Sequence, residues 1–256
     1  MDEIQSTRIN KFLSEAGYCS RRAADKLIEQ GRVTINGEVP LMGTKIVPDD
    51  VVEVDGKRIL ASTEKPVYIA FNKPVGIVCT TNTKVEKDNI IDYIGYPSRI
   101  FPIGRLDKPS EGLIFLTNDG DIVNKILRAR NHHEKEYIVQ VDRLITPEFI
   151  RDMGSGVSIL ETVTRECEVE QISKFSFRIV LTQGLNRQIR RMCEHLGYDV
   201  LKLKRTRIMN VKLDMPIGEW RYISPEELSE IYQLVQSSAK THEVLHDPDN
   251  LLDEEE

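Results

Sequence analysis

The apolar positions of the first sixty residues recur first at helical spacing and then at strand spacing. Thr7 can cap a short helix in which Ile9, Phe12, Leu13 and Ala16 recur at helical spacing, and Gly17 ends it. Ser20 can cap a second helix with Ala23, Ala24, Leu27 and Ile28 turned inward, stopped by Gly31. Two strand-like runs follow, VTING at 33–37 and VVEVDG at 51–56, with Asn36-Gly37 and Pro48-Asp49-Asp50 as turns. ASTEKP, polar and ending in proline, reads as a linker.

Beyond it, VYIAFNKPVGIVCTT predicts a strand, a turn at Lys73-Pro74 to Gly76, and another strand. RIFPIG leads through a loop at 105–112 into the apolar strand LIFLT, and Asn118 or Asp119 can cap a helix carrying Ile122, Val123, Ile126 and Leu127. KEYIVQVD is strand-like, and Thr146-Pro147 opens a helix. EVEQI and FSFRIVLTQG are strands leading to a helix over about 187–195, and Ser224-Pro225-Glu226-Glu227 is a capping box for a final amphipathic helix. Hairpin-like neighbours with few crossovers predict an α+β fold, a mixed but largely antiparallel sheet flanked by helices, behind a small N-terminal domain. The expected boundaries are 1–61, a linker at 62–66, a main domain at 67–240, and a disordered acidic tail at 241–256.

Charge alters this picture locally. The chain of 256 residues carries net −6, which would argue against a polyanionic partner. Ten acids against one lysine put −9 into residues 223–256, so the remainder carries +3, and 183–212 alone carries +6. A local basic patch matters more to a polyanion than the average does. No apolar run is long enough for a membrane span, and the polar, acidic start MDEIQSTRIN is no secretory signal. Cys19, Cys79, Cys167 and Cys193 are scattered, without CxxC or zinc spacing, which fits buried filler in a reducing cytoplasm. His132-His133 reads as the solvated end of a helix, and His242 with His246 as an adventitious pair, so no metal is expected.

P-loop, G-x-G-x-x-G, HExxH and G-x-S-x-G patterns are absent, which removes most nucleotide, metalloprotease and hydrolase readings. The informative stretch is FPIGRLDKPSEGLIFLTNDGD at 101–121. Its Asp107, between Arg105 and Lys108, should stay ionised, available as nucleophile or acceptor. By spacing alone such a turn is more often a surface ion pair than a catalytic loop. Tyr137 by itself is equally a core strand tyrosine. The basic run KLKRTR at 202–207 is either a phosphate contact or a solvated strand.

The wording of the motifs is more specific than their spacing. RINKFLSEAGYCSRRAADKLIEQGRVTING resembles the S4 (αL-type) RNA-binding domain, which implies RNA contact by Arg8, Lys11, Arg21, Arg22 and Asn36. GRLDKPSEGLIFLTNDG resembles the catalytic motif of pseudouridine synthases, and G-R-L-D points to the RsuA family within them. NKPVG at 72–76, KEY at 135–137 and GLNRQIRRM at 184–192 follow in that family's order, and an S4 domain in front is its arrangement. The resemblance implies Asp107 as nucleophile, Tyr137 as platform for the target base and Arg190 as partner of Asp107. It further implies RNA contact from Arg105, Leu106, Lys108, Arg187, Gln188 and Ile189, with Arg105 filling the space of the flipped uridine. The reaction is an isomerisation, so no cofactor is expected. The resemblance of the C-terminal motif implies 23S ribosomal RNA as substrate, and a dual-specific member of the family adds the anticodon of tyrosine tRNA as a second; a monomer is expected. The alternatives are a 16S-specific synthase of the same family and a non-catalytic S4-type RNA-binding or ribosome-assembly protein.

Overall fold

The computed structural model describes residues 6–127 and 132–236 and divides into two units, Met1–Pro66 and Val67–Glu256. The expected tail and its histidine pair lie outside the described residues.

In the first unit a two-residue strand β1 (Thr7–Arg8) runs directly into α1 (Ile9–Glu15), and α2 (Arg21–Glu29) follows. Thr7 therefore does not cap α1. It is paired instead with Ile46, and Arg8 holds the N-cap position with no side-chain hydrogen bond. Ser20 does cap α2, its Oγ accepting from the Ala23 amide at 3.1 Å. The strands β2 (Val33–Ile35), β3 (Lys45–Ile46), β4 (Val52–Val54) and β5 (Lys57–Ile59) complete the unit, with β2, β4 and β5 forming one antiparallel sheet. Ile9, Leu13, Ala24, Ile28, Val33, Ile46, Val52 and Val54 are its buried core.

The second unit begins with β6 (Tyr68–Lys73), α3 (Ile90–Ile94) and β7 (Phe101–Ile103). Next come β8 (Glu111–Thr117), α4 (Gly120–Leu127), β9 (Lys135–Val141) and α5 (Pro147–Gly154). A small hairpin, β10 (Ser158–Ile159) with β11 (Thr162–Val163), precedes β12 (Glu168–Ser173) and β13 (Ser176–Leu181). The chain then forms α6 (Gln188–His195), β14 (Val200–Ile208), β15 (Val211–Lys212), β16 (Trp220–Tyr222) and α7 (Pro225–Gln236). Local capping accounts for the starts of α4, α5 and α7. Asp119 accepts from the Asp121 amide, Thr146 from Phe149, and Ser224 and Glu227 exchange bonds reciprocally.

The main sheet has the order β12-β13-β9-β14-β8-β6-β16, with β7 and β15 beside it. All its strand pairs are antiparallel except β14 with β8. Residues of α3, α5 and α6 join the apolar cluster on one face, those of α4 and α7 the cluster on the other. The sheet is thus covered on both sides, as the wholly buried pattern of β6 requires. His133 departs from its expected place. It is 7% exposed in the segment entering β9, and burial depresses its pKa.

Candidate active site

Two antiparallel ladders and one parallel ladder set four positions in one row. Tyr137 of β9 stands opposite Arg205 of β14, Arg205 opposite Gly112 of β8, and Gly112 opposite Lys73 of β6. Residues paired across strands point to the same face, here the face covered by α3, α5 and α6, where Phe71, Ile114, Val139 and Leu203 are also buried. The row gathers NKPVG, the strand after the Asp107 loop, KEY and KLKRTR, which are separated along the chain by tens of residues.

Gly112 makes the row possible. Its φ is +109°, and an added Cβ would collide with the Arg205 backbone, lying 2.7 Å from its amide nitrogen. Only a glycine lets β14 approach β8 this closely. Lys73 is wholly buried; its Nζ donates to the carbonyls of Pro74 at 2.8 Å and Ile77 at 2.9 Å, and burial lowers its pKa. The turn that it braces meets the Asp107 loop where the Gly76 amide donates to the Lys108 carbonyl at 2.8 Å. From below, the Leu106 amide donates to Cys79 Sγ at 3.4 Å, and within the loop the Ser110 amide donates to the Asp107 carbonyl.

Asp107 is held by that loop, its side chain one-third exposed. Arg187 Nη1 and Arg190 Nε each lie 4.0 Å from its Oδ2. These are ion pairs longer than hydrogen bonds. Arg187 adopts φ +50° at the N-cap of α6, which turns it toward the loop one turn ahead of Arg190. The Arg190 guanidinium donates to Val200 O, Pro109 O and Ser110 Oγ at 3.1–3.2 Å, while its buried Nε has no hydrogen-bond partner. Burial, then the Arg187 charge, pulls the Arg190 pKa down and Asp107 opposes them. A carboxyl group between two guanidiniums on a braced loop is the arrangement that a nucleophile or base requires.

The remaining expected residues divide. Arg105 and Lys108 are exposed on the loop. Leu106 and Ile189 are not at the surface; they are 6% and 4% exposed and belong to the core, because apolar side chains on a buried loop base and helix face pack inward. Gln188, 4% exposed, accepts from the Leu185 amide and contacts Met192 Sδ, which closes the start of α6. Tyr137, 9% exposed, lies between core and site. In the first unit Arg8, Arg21 and Arg22 are exposed, and Lys11 pairs with Glu15 at 3.4 Å. Asn36 has a folding role, its side chain bridging Asp50 and the Val51 amide. In the basic run Arg205 is buried and Arg207 pairs with Glu134 and Glu136, which leaves Lys202 and Lys204 accessible. Sequence reasoning missed Lys73, Gly112 and Arg205 as parts of one site, because strand register joins them.

Lys135 lies on the same face of β9 as Tyr137, and burial, with Arg205 nearby, pushes its pKa down to about 8 from 10.5. Between these values the unfolded chain binds more protons than the folded one. This lysine therefore costs stability below about pH 8, and the cost is relieved as pH rises toward 10.5. Lys135→Met lacks the effect. Urea unfolding should show the wild type gaining on the order of 3 kcal/mol relative to the variant across that window; a difference that stays flat with pH would mean that the ammonium is solvated.

Two family models match the chain. Residues 67–195 match RNA pseudouridylate synthase and 7–52 match the S4 domain. The chain belongs to the RNA pseudouridylate synthases and is an isomerase of RNA uridine. It is 58% identical over 91% of its length to the dual-specificity RNA pseudouridine synthase RluF of Escherichia coli K12, covering 81% of that protein. It is 34% identical over 89% of its length to ribosomal large subunit pseudouridine synthase B of Bacillus subtilis, covering 96% of it. A pseudouridylate synthase crystal structure matches with TM-score 0.64 and 29% identity, over 89% of this chain and 99% of that one. Among the described residues no helix is long and apolar enough to cross a membrane.

Proposed function

We propose that this isomerase converts a specific uridine of 23S ribosomal RNA to pseudouridine, with Asp107 as the nucleophile. The observation that carries the assignment of Asp107 is its place between the Arg187 and Arg190 guanidiniums, on a loop that is tied to the row holding Lys73, Arg205 and Tyr137. Asp107 acts at the ribose of a flipped uridine, by addition to C1′ or by removal of the 2′ proton. Arg190, fixed by three acceptors, holds the carboxylate in place. Tyr137 is the platform on which the detached base turns, and exposed Arg105 takes the space that the uridine leaves. Arg8, Arg21 and Arg22 of the S4 unit capture structured RNA through its phosphates. The dual-specificity name of the RluF relatives fits a second RNA substrate, for which the family resemblance offers the anticodon of tyrosine tRNA.

A pseudouridine map of total RNA from cells with and without the gene tests this reading. Loss of a single 23S site is the expected result, and simultaneous loss of the tyrosine-tRNA site assigns the second substrate. A lost 16S site would redirect the substrate assignment. An unchanged map would favour a non-catalytic RNA-binding role.

A further inference from the structure

Arg205 is central to the row, yet the chemistry above gives it no part. It is 3% exposed. Its Nε donates to the Leu113 carbonyl at 2.6 Å, which fixes the plane of the guanidinium, while its buried Nη2 has no hydrogen-bond partner. A buried charged donor left without an acceptor is costly, and a ligand oxygen would satisfy it. On one side the guanidinium carbon lies 5.9 Å from the centroid of the Tyr137 ring. On the other side Gly112 contributes no side chain. Among the described residues no carboxylate lies within ion-pair distance of Arg205. Its charge instead bears on two further buried cations, Lys73 and Lys135, and lowers the pKa of each. The floor formed by this row is therefore electropositive and holds one donor to spare.

We infer that Arg205 is a catalytic residue, its Nη2 donating a hydrogen bond to a carbonyl oxygen of the detached uracil and stabilising the negative charge on the base. The inference rests on the reading of Asp107 and Tyr137 given above. Whichever way Asp107 engages the sugar, heterolysis of the N1–C1′ bond leaves its electron pair on the base. The uracil anion shares that charge among N1, O2, C5 and O4. The Arg205 donor faces charge that exists in the transition state and intermediate but not in the bound uridine, the condition under which a fixed donor accelerates a reaction. When C5 bonds to C1′ the pair enters the new bond, while the Asp107–C1′ bond breaks and frees the carboxylate or, in the elimination course, C2′ takes back its proton from Asp107. The C5 proton then leaves and N1 takes one up, so no net proton is gained or lost.

The test compares full-length wild type, Arg205→Gln and Arg205→Lys in single turnover on saturating RNA. One substrate carries uridine at the target position and the other carries 5-fluorouridine, whose base anion is intrinsically more stable. Arg205→Gln should bind RNA within about threefold of wild type and lose about 10²–10³ in rate on uridine. On 5-fluorouridine the loss in glycosidic cleavage should shrink at least about tenfold. Arg205→Lys, which keeps the charge on a different geometry, should show a smaller loss with the same substrate dependence, and it carries the test if the glutamine variant fails to fold. Equal losses on both substrates would make Arg205 merely structural and overturn the inference, as would an unchanged rate or a defect confined to binding. Asp107→Asn run alongside separates the two readings: turnover in that variant would remove the nucleophile assignment itself, whatever Arg205 does.

Discussion

Asp107→Asn is expected to bind RNA at least as tightly as wild type, to melt within a few degrees of it, and to lose isomerisation by more than about 10³-fold. The carboxamide has the same shape as the carboxylate but neither its charge nor its nucleophilicity. The site should survive the change because Arg190 is anchored without Asp107, on Val200 O, Pro109 O and Ser110 Oγ. The loop also keeps its backbone bonds from Ser110 to Asp107 and from Gly76 to Lys108. Removing one negative charge beside two arginines makes the cleft more positive, which favours RNA phosphates. Single-turnover formation of pseudouridine with the purified variant is the measurement, and a rate within tenfold of wild type would remove Asp107 from the nucleophile role.

Gly112→Ala should cost more than about 3 kcal/mol of folding stability, through backbone strain at positive φ together with overpacking. The position has φ +109°, and the new methyl would run into the Arg205 backbone. That backbone cannot yield easily, since it is paired on its other side with Tyr137 of β9. Any movement that made room would separate Arg205 from Leu113 and displace the row on which Lys73 and Tyr137 sit. Trp220, the only tryptophan of the chain, lies on β16 of the same unit and reports its unfolding. A destabilisation of this size in a unit of this length corresponds to a midpoint lowered by roughly 6–12 °C. Gly184→Ala is the control, with nothing within 4 Å of its added Cβ. A Gly112→Ala midpoint within 2 °C of wild type would show that β14 can shift without strain.

Much of this protein is local and was open to reading along the chain. Helix starts at Ser20, Asp119, Thr146 and Ser224 follow from side chains that reach an amide two or three residues on. The loop holding Asp107 stands out because a charged turn interrupts two apolar strands, and Arg187 with Arg190 stands out at the start of one helix. Where neighbouring chain competed, local reading failed. Thr7 joined a strand with Ile46 instead of capping α1, and His133 was drawn inside where the chain enters β9. Arg205 is the clearest case. In sequence it is one base among several in KLKRTR, equally suited to solvent or phosphate.

Its burial was decided by tertiary structure, and so was its meaning. Periodicity states that alternate residues share a face; it does not state which strand lies beside which, or in what register. The single parallel pairing, β14 beside β8, brings Arg205 against Gly112, and the antiparallel pairings extend the row to Tyr137 and Lys73. The sequence by itself determined most of the longer helices and strands, the Asp107 loop and the residue types able to act there, while the strand expected after the Lys73-Pro74 turn is only an isolated bridge at Val78. The long-range register turned those separate motifs into one electropositive floor, because contacts between strands far apart in the chain arise only when the whole sheet is assembled.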